Sequence, residues 1–71
     1  MKLTKWFSGY QLPIRKGVYQ RRDKYKDIAG YSYWDGFQWY LSGNSPEFAE
    51  AWHIENHISF HQNWDWRGVA K

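Results

Sequence analysis

The sequence predicts a single α+β domain: a three-stranded antiparallel meander with one helix packed on one face and a short C-terminal strand. An Asp-Gly pair lies between two aromatic-rich runs, which indicates a β-hairpin. A Ser-Pro-Glu segment further along has the composition of a helix start. The chain has 71 residues, which is too short for two domains. Residues 1–71 are therefore predicted to form one domain.

The meander is predicted from two segments. Residues 17–21 read as a first strand, bounded by Gly17 and by a charged loop. Residues 30–41 read as a hairpin with Asp35-Gly36 at the centre of a type I′ turn, because Gly tolerates the positive φ that this turn needs. Such a turn places Trp34 opposite Phe37.

Alternation along the strands sorts the side chains onto two faces. Trp34, Phe37 and Trp39 fall on one face, which we interpret as the core. The tyrosines of the hairpin fall on the other, where their hydroxyls can meet water. If Val18 joins the core face, Tyr19 and Arg21 join the tyrosine face.

The helix is predicted to start at Pro46, with Ser45 as its cap, and to run to about Asn56. Its apolar stripe is expected to pack on the tryptophan face of the sheet. Apolar and polar residues then alternate over 58–62, which favours the short C-terminal strand.

Composition restricts the class further. Aromatic residues make up 23% of the chain, and large rings can give a short domain its core. There is no cysteine, which excludes disulfides and thiolate zinc sites. No apolar run approaches the about 20 residues of a membrane span, and the N-terminus lacks a signal-peptide pattern. We therefore expect a cytoplasmic protein that makes no membrane contact.

The charges are unevenly distributed. Eight of the ten Lys and Arg residues lie within residues 1–26, whereas residues 27–66 hold six of the seven acids and no Lys or Arg. Such asymmetry indicates an interaction surface on the basic part. The alternative is that the two parts attract each other within the fold.

The sequence does not predict an enzyme or a bound cofactor. No serine has the glycine elbow of a nucleophile, no Gly-rich phosphate loop is present, and the carboxylates are scattered. His53, His57 and His61 have the four-residue spacing of helical zinc ligands. However, the predicted helix ends before His61, so we expect no metal site.

Binding is the predicted activity. Tyrosines beside basic side chains suit a protein interface, and they also suit base stacking with phosphate contacts. The predicted binding residues are Tyr19, Arg21, Arg22, Lys24, Lys26, Tyr31, Tyr33 and Tyr40.

Several separated motifs support a broader expectation: Pro13-x-Arg15-x-Gly17-Val18-Tyr19, Tyr33-Trp34-Asp35-Gly36 and Trp66-Arg67-Gly68. With these motifs the chain resembles a widespread set of small phage and prophage proteins of unknown function. The resemblance implies an accessory protein that binds and modulates a host protein in the host cytoplasm. It transfers no catalytic residue. Nucleic-acid binding through the basic N-terminal third is the alternative.

Overall fold

The computed structural model describes residues 2–70 of the chain. It contains β1 (Lys2–Leu3), β2 (Gly17–Arg22), β3 (Ile28–Trp34), α1 (Pro46–Ile54), β4 (Asp65–Arg67) and β5 (Val69–Ala70). β3, β2 and β4 form a three-stranded antiparallel sheet in that order, and β1 pairs with β5. The α+β class, with one helix packed on a three-stranded antiparallel sheet, is confirmed.

The second arm of the predicted hairpin lies beside β3 but is not a regular strand. Isolated bridges join Trp34 to Trp39 and Tyr31 to Gly43. Between the two bridges this arm carries one residue more than β3 does, and such an extra residue interrupts the ladder of hydrogen bonds. The third strand of the sheet is β4, on the far side of β2.

The turn is centred one residue later than predicted. Trp34 pairs with Trp39, and Phe37 is 88% exposed rather than part of the core. The carboxylate of Asp35 accepts hydrogen bonds from the backbone N–H groups of Phe37 (2.7 Å) and Gln38 (2.8 Å). This holds Asp35 at the end of its strand and leaves Gly36, at φ +101°, to make the bend.

The strand predicted over 58–62 is wrong, apart from one bridge between Ile58 and Tyr40. The side chain of Gln62 occupies the position that a paired strand would fill. Its Oε1 accepts from the backbone N–H of Trp39 (2.7 Å), and its Nε2 donates to the Trp39 carbonyl (3.0 Å). Because one amide side chain satisfies both backbone groups, the segment needs no ladder.

α1 begins at Pro46 as predicted, and the hydroxyl of Ser45 caps it by accepting from Phe48 N–H (3.3 Å). The helix does not pack on the tryptophan face. His53 of α1 stacks on Tyr33 at 3.8 Å, so the helix covers the tyrosine side instead.

On the tryptophan face, the N-terminal segment packs against the core cluster. Trp34, Trp39 and Trp66 form the buried cluster, and Phe7 stacks on Trp66 with 4.6 Å between ring centres. Phe7 also exchanges two backbone hydrogen bonds with Trp66. We call the side of the sheet that holds this cluster the core face, and the opposite side the helix face.

Candidate functional site

Two of the predicted binding residues lie in the core. Tyr19 pairs with Ser32 and Arg21 pairs with Trp66, which places both on the core face. The prediction that they share a face with the tyrosines of the hairpin is wrong, because it took Val18 as the core-facing residue. Alternation fixes which residues share a face but not which face is covered.

Tyr19 is partly buried against the core cluster, and Arg21 is fully buried. Burial raises the pKa of Tyr19, against the opposing effect of Arg15, whose carbonyl oxygen accepts the Tyr19 hydroxyl at 2.7 Å. Arg21 is 0% exposed. Arg21 is therefore not available on the free surface, and Tyr19 presents only part of its side chain.

Two of the predicted tyrosines are covered on the helix face. Tyr33 is half-buried under His53, and Tyr40 is buried, with its hydroxyl donating to Asp35 at 2.9 Å. Burial raises the pKa of Asp35, but hydrogen bonds from the turn N–H groups and from Tyr40 outweigh burial, so the pKa lies below its ordinary value. Tyr33 and Tyr40 thus hold the turn and the helix in place.

Tyr31 contributes to an open surface feature, which we call the groove. It lies between the start of β3 and α1 and has a volume of about 740 Å³. Phe48 and Trp52, one helical turn apart, form the wall on α1. Tyr31 and Ile28 line the side on β3, and residues 42–44 close the other side. Phe48 is 56% exposed, so the groove presents apolar surface to solvent.

A cationic rim, which we define as Arg22, Lys26 and Arg67, borders the groove. Gln20 lines the groove and accepts a hydrogen bond from Arg67 Nε at 2.7 Å. The guanidinium groups of Arg22 and Arg67 lie 4.5 and 4.4 Å from the ring centre of Trp6. The Trp6 ring holds both guanidinium groups together, and the bond from Arg67 to Gln20 joins them to the groove.

Asp65 holds Arg22 and Lys26 of the cationic rim together. Its Oδ2 accepts from Arg22 Nε and from Lys26 Nζ, each at 3.0 Å, and its Oδ1 accepts from Gly9 N–H. Burial raises the pKa of Asp65, but the hydrogen bonds from Lys26, Arg22 and Gly9 outweigh burial and set the pKa below its ordinary value. Asp65 pairs with two of the three cations of the rim, so the rim keeps a net positive charge.

The β2–β3 loop carries the remaining predicted residue, Lys24. Asp23 Oδ1 accepts from the N–H groups of Tyr25 (2.8 Å) and Asp27 (3.1 Å), which shapes the loop. Tyr25 is 72% exposed, with Lys24 Nζ 5.1 Å from its ring centre. The loop leads directly into Ile28 and therefore adjoins one end of the groove.

The structure thus brings together Arg22 and Lys26 of the predicted set, on Asp65, and places Tyr31 in the groove. Sequence reasoning missed Trp6, Arg67 and Phe48 as members of this surface. Phe48, Ala51 and Trp52 fall on one stripe of the helix, which predicts that Phe48 packs on the sheet rather than faces solvent. The basic loop and Arg67 are far apart in sequence, and only the pairing of β2 with β4 brings them together.

The three histidines are separated by their aromatic partners. His53 stacks on Tyr33, His57 meets the edge of Trp52, and His61 stacks on Trp64. Across residues 2–70, no three metal-ligating side chains converge on one point. In the same range, no helix has the length and apolarity needed to cross a bilayer.

Comparison with known proteins returned no matching family model, no matching curated protein and no matching solved structure.

Proposed function

We propose that this chain is a small phage-encoded accessory protein that binds and modulates a host protein in the host cytoplasm. The groove and the cationic rim are the contact surface in this proposal. The observation that carries it is the combination of an open apolar groove with a cationic rim that meets the groove where Arg67 bonds to Gln20. Apolar surface collected in one concave place typically marks an interaction site.

The surface restricts the chemistry of the partner. The walls formed by Phe48 and Trp52 suit a large apolar side chain, which loses contact with water when it enters the groove. Arg22, Lys26 and Arg67 suit carboxylates beside that side chain, because complementary charges speed the encounter and fix the register. The expected partner segment therefore presents an apolar anchor flanked by Asp or Glu.

The openness of the groove favours a protein over a small ligand. Small-molecule sites bury most of the surface of their ligand in a closed cavity. Here Phe48 is more than half exposed, and Ile28 at the far end is similarly exposed. A protein segment can cover both positions at once and exclude water from them.

Replacement of Phe48 by Ala is expected to raise the dissociation constant for the host partner by about tenfold or more, as truncation of an aromatic anchor does. The partner is first identified as the host protein that wild type recovers from lysate and that Phe48→Ala does not. Its affinity is then measured by calorimetry with purified proteins.

Phe37→Ala is the matched control. Phe37 is also a strongly exposed aromatic side chain, but it lies at the turn and outside the groove. Wild-type affinity in Phe37→Ala is expected. Equal losses in the two variants, or no host protein whose recovery depends on Phe48, would contradict the proposal.

The exposed loop supports nucleic-acid binding as a second candidate. Tyr25 offers an exposed ring between Lys24 and Lys26, which is the combination that stacks a base and neutralises phosphates. This candidate predicts binding of single-stranded DNA or RNA at about 50 mM salt, with affinity that falls steeply as salt is added. Tyr25→Ala is expected to weaken that binding, and Tyr10→Ala, another exposed tyrosine, serves as the control. Fluorescence anisotropy that detects no binding at low salt would remove this candidate.

A further inference from the structure

The uneven charges of the sequence are only partly neutralised within the fold. Among residues 3–68, whose side chains the structure describes, Asp65 is the only carboxylate that pairs with Lys or Arg. Glu47 lies exposed on α1, and the side chain of Glu55 at the end of α1 is 60% exposed. The Lys26 side chain is 63% exposed. Attraction between the acidic and basic parts of the chain is therefore still available to a contact between molecules.

The helix side of the groove is acidic. Glu55 follows Trp52 by three positions, which places the two side chains on one face of α1. The contacts agree with this spacing, because Glu55 Oε2 lies 3.5 Å from His57 Nε2 and the His57 ring meets the edge of Trp52. Trp52 lines the groove, and so does Phe48, which Glu47 directly precedes.

The side of the groove away from α1 is cationic. α1 stacks on β3, whereas Arg67 lies on β4, two strands away in the order β3-β2-β4. Arg67 bonds to Gln20, which lines the groove from β2. Lys26 lies two residues before Ile28, which lines the groove from β3. The surface thus runs from acids on α1, across an apolar centre, to the cationic rim.

We propose that two copies of this chain associate through the groove about a two-fold axis. Such an axis through the apolar centre turns the acidic side of one copy onto the cationic side of the other, so each contact is made twice. Phe48, which is 56% exposed, then loses contact with water against the groove of the second copy. A surface of one sign would repel its own copy, whereas this surface is complementary to itself.

Self-association also regulates the proposed contact with a host protein, and this part of the inference rests on that proposed function. The dimer covers the same Phe48 that the host protein needs, so the two complexes exclude each other. Only the monomer is competent to bind the host protein. The apparent affinity for the host protein therefore falls as the concentration of the chain rises above the dissociation constant of the dimer.

Sedimentation equilibrium of the purified chain between about 1 µM and 1 mM tests the association. The mass is expected to rise with concentration from 8.7 kDa to twice that value. At about 0.5 M salt the association is expected to weaken, because salt screens the charge pairs. A mass that stays at that of the monomer over the whole range overturns the proposal, and so does a mass that grows beyond the dimer, since a two-fold interface closes.

Two charge-reversal variants test the arrangement of the two copies. Glu55→Lys makes both sides of the groove cationic, and Lys26→Glu makes both sides acidic. Each variant alone is expected to raise the dissociation constant of the dimer by about tenfold or more, because like charges then face each other. An equimolar mixture of the two variants is expected to recover the association, since opposite charges face each other again. An unfolded variant could not recover it.

Glu50→Lys is the matched control. Glu50 is also an exposed acid of α1, but it lies two positions before Trp52 and therefore on the side of the helix away from the groove. Association at the wild-type level is expected for this variant. Equal weakening in Glu50→Lys and Glu55→Lys, or a mixture that associates no better than its two components, overturns the arrangement.

The association is measured on the purified chain alone, so its failure is distinguishable from failure of the proposed function. A monomeric chain that still recovers a host protein through Phe48 overturns this inference and leaves the proposed function intact. A dimer that recovers no host protein leaves the association intact and contradicts the proposed function. A dimer whose affinity for the host protein is the same at every concentration of the chain overturns the regulatory part.

Discussion

Trp39→Ala is expected to lower the free energy of unfolding by about 3–5 kcal/mol, the range for deleting a large buried aromatic side chain. Trp39 is 0% exposed and is the largest fully buried side chain among the described residues. Its ring lies 5.1 Å from Trp34, 5.8 Å from Tyr19 and 6.4 Å from Trp66, between ring centres. No other described ring makes all three of these contacts.

The loss is large relative to the stability of such a chain. Small domains unfold at the lower end of the usual range of about 5–15 kcal/mol, so this variant is expected to be substantially unfolded at room temperature. Chemical denaturation followed by circular dichroism measures the effect. Phe37→Ala removes an exposed ring two residues away and is expected to cost no more than about 0.5 kcal/mol. Similar losses in the two variants would show that Trp39 is not the centre of the core.

The fold class was predictable because strong local patterns agree with the structure. The aromatic runs around Asp35-Gly36 do form a hairpin, and Ser45-Pro46 does start the helix. Trp34 and Trp39 point into the core as their alternation predicted. These features depend on residues close together in sequence, where turn and cap chemistry act directly.

The wrong predictions concern features that depend on residues far apart in the sequence. The phase of β2 depends on its partners, and pairing with Trp66 turns Arg21 inward. A charged side chain at that position is normally read as exposed. The segment around 58–62 alternates like a strand, yet the side chain of Gln62 bonds to Trp39 and replaces the ladder. No local sequence pattern predicts that a side chain will take the place of a paired strand.

The candidate site was predictable only in part for the same reason. The basic loop after β2 and Tyr31 were identifiable from composition and alternation. The position of the groove was not, because it depends on the side of the sheet that α1 covers. In the structure, Phe7 packs on Trp66 on the tryptophan face, and α1 lies on the opposite face against Tyr33.

The floor of the groove is built from two glycines, Gly30 and Gly43, whose backbones are in contact. Gly30 has φ +117°, and a Cβ added there would overlap the carbonyl oxygen of Gly43. Tyr31 and Gly43 exchange two backbone hydrogen bonds of 2.8 Å at the same place. Gly30→Ala is therefore expected to lower the free energy of unfolding by about 2–4 kcal/mol. The new side chain would sit at an unfavourable φ and would also overlap the backbone of Gly43.

Gly36→Ala separates the two causes. Gly36 also has a positive φ, +101°, but a Cβ there would meet only the flexible side chain of Lys16 at ordinary contact distance. Gly36→Ala is expected to lower the free energy of unfolding by about 1–2 kcal/mol, from the unfavourable φ alone. The additional loss in Gly30→Ala, measured by the same denaturation, reports the approach of Gly30 to Gly43. Equal losses would mean that the two backbones are not in contact, and the groove would then lack the floor on which the proposed binding surface depends.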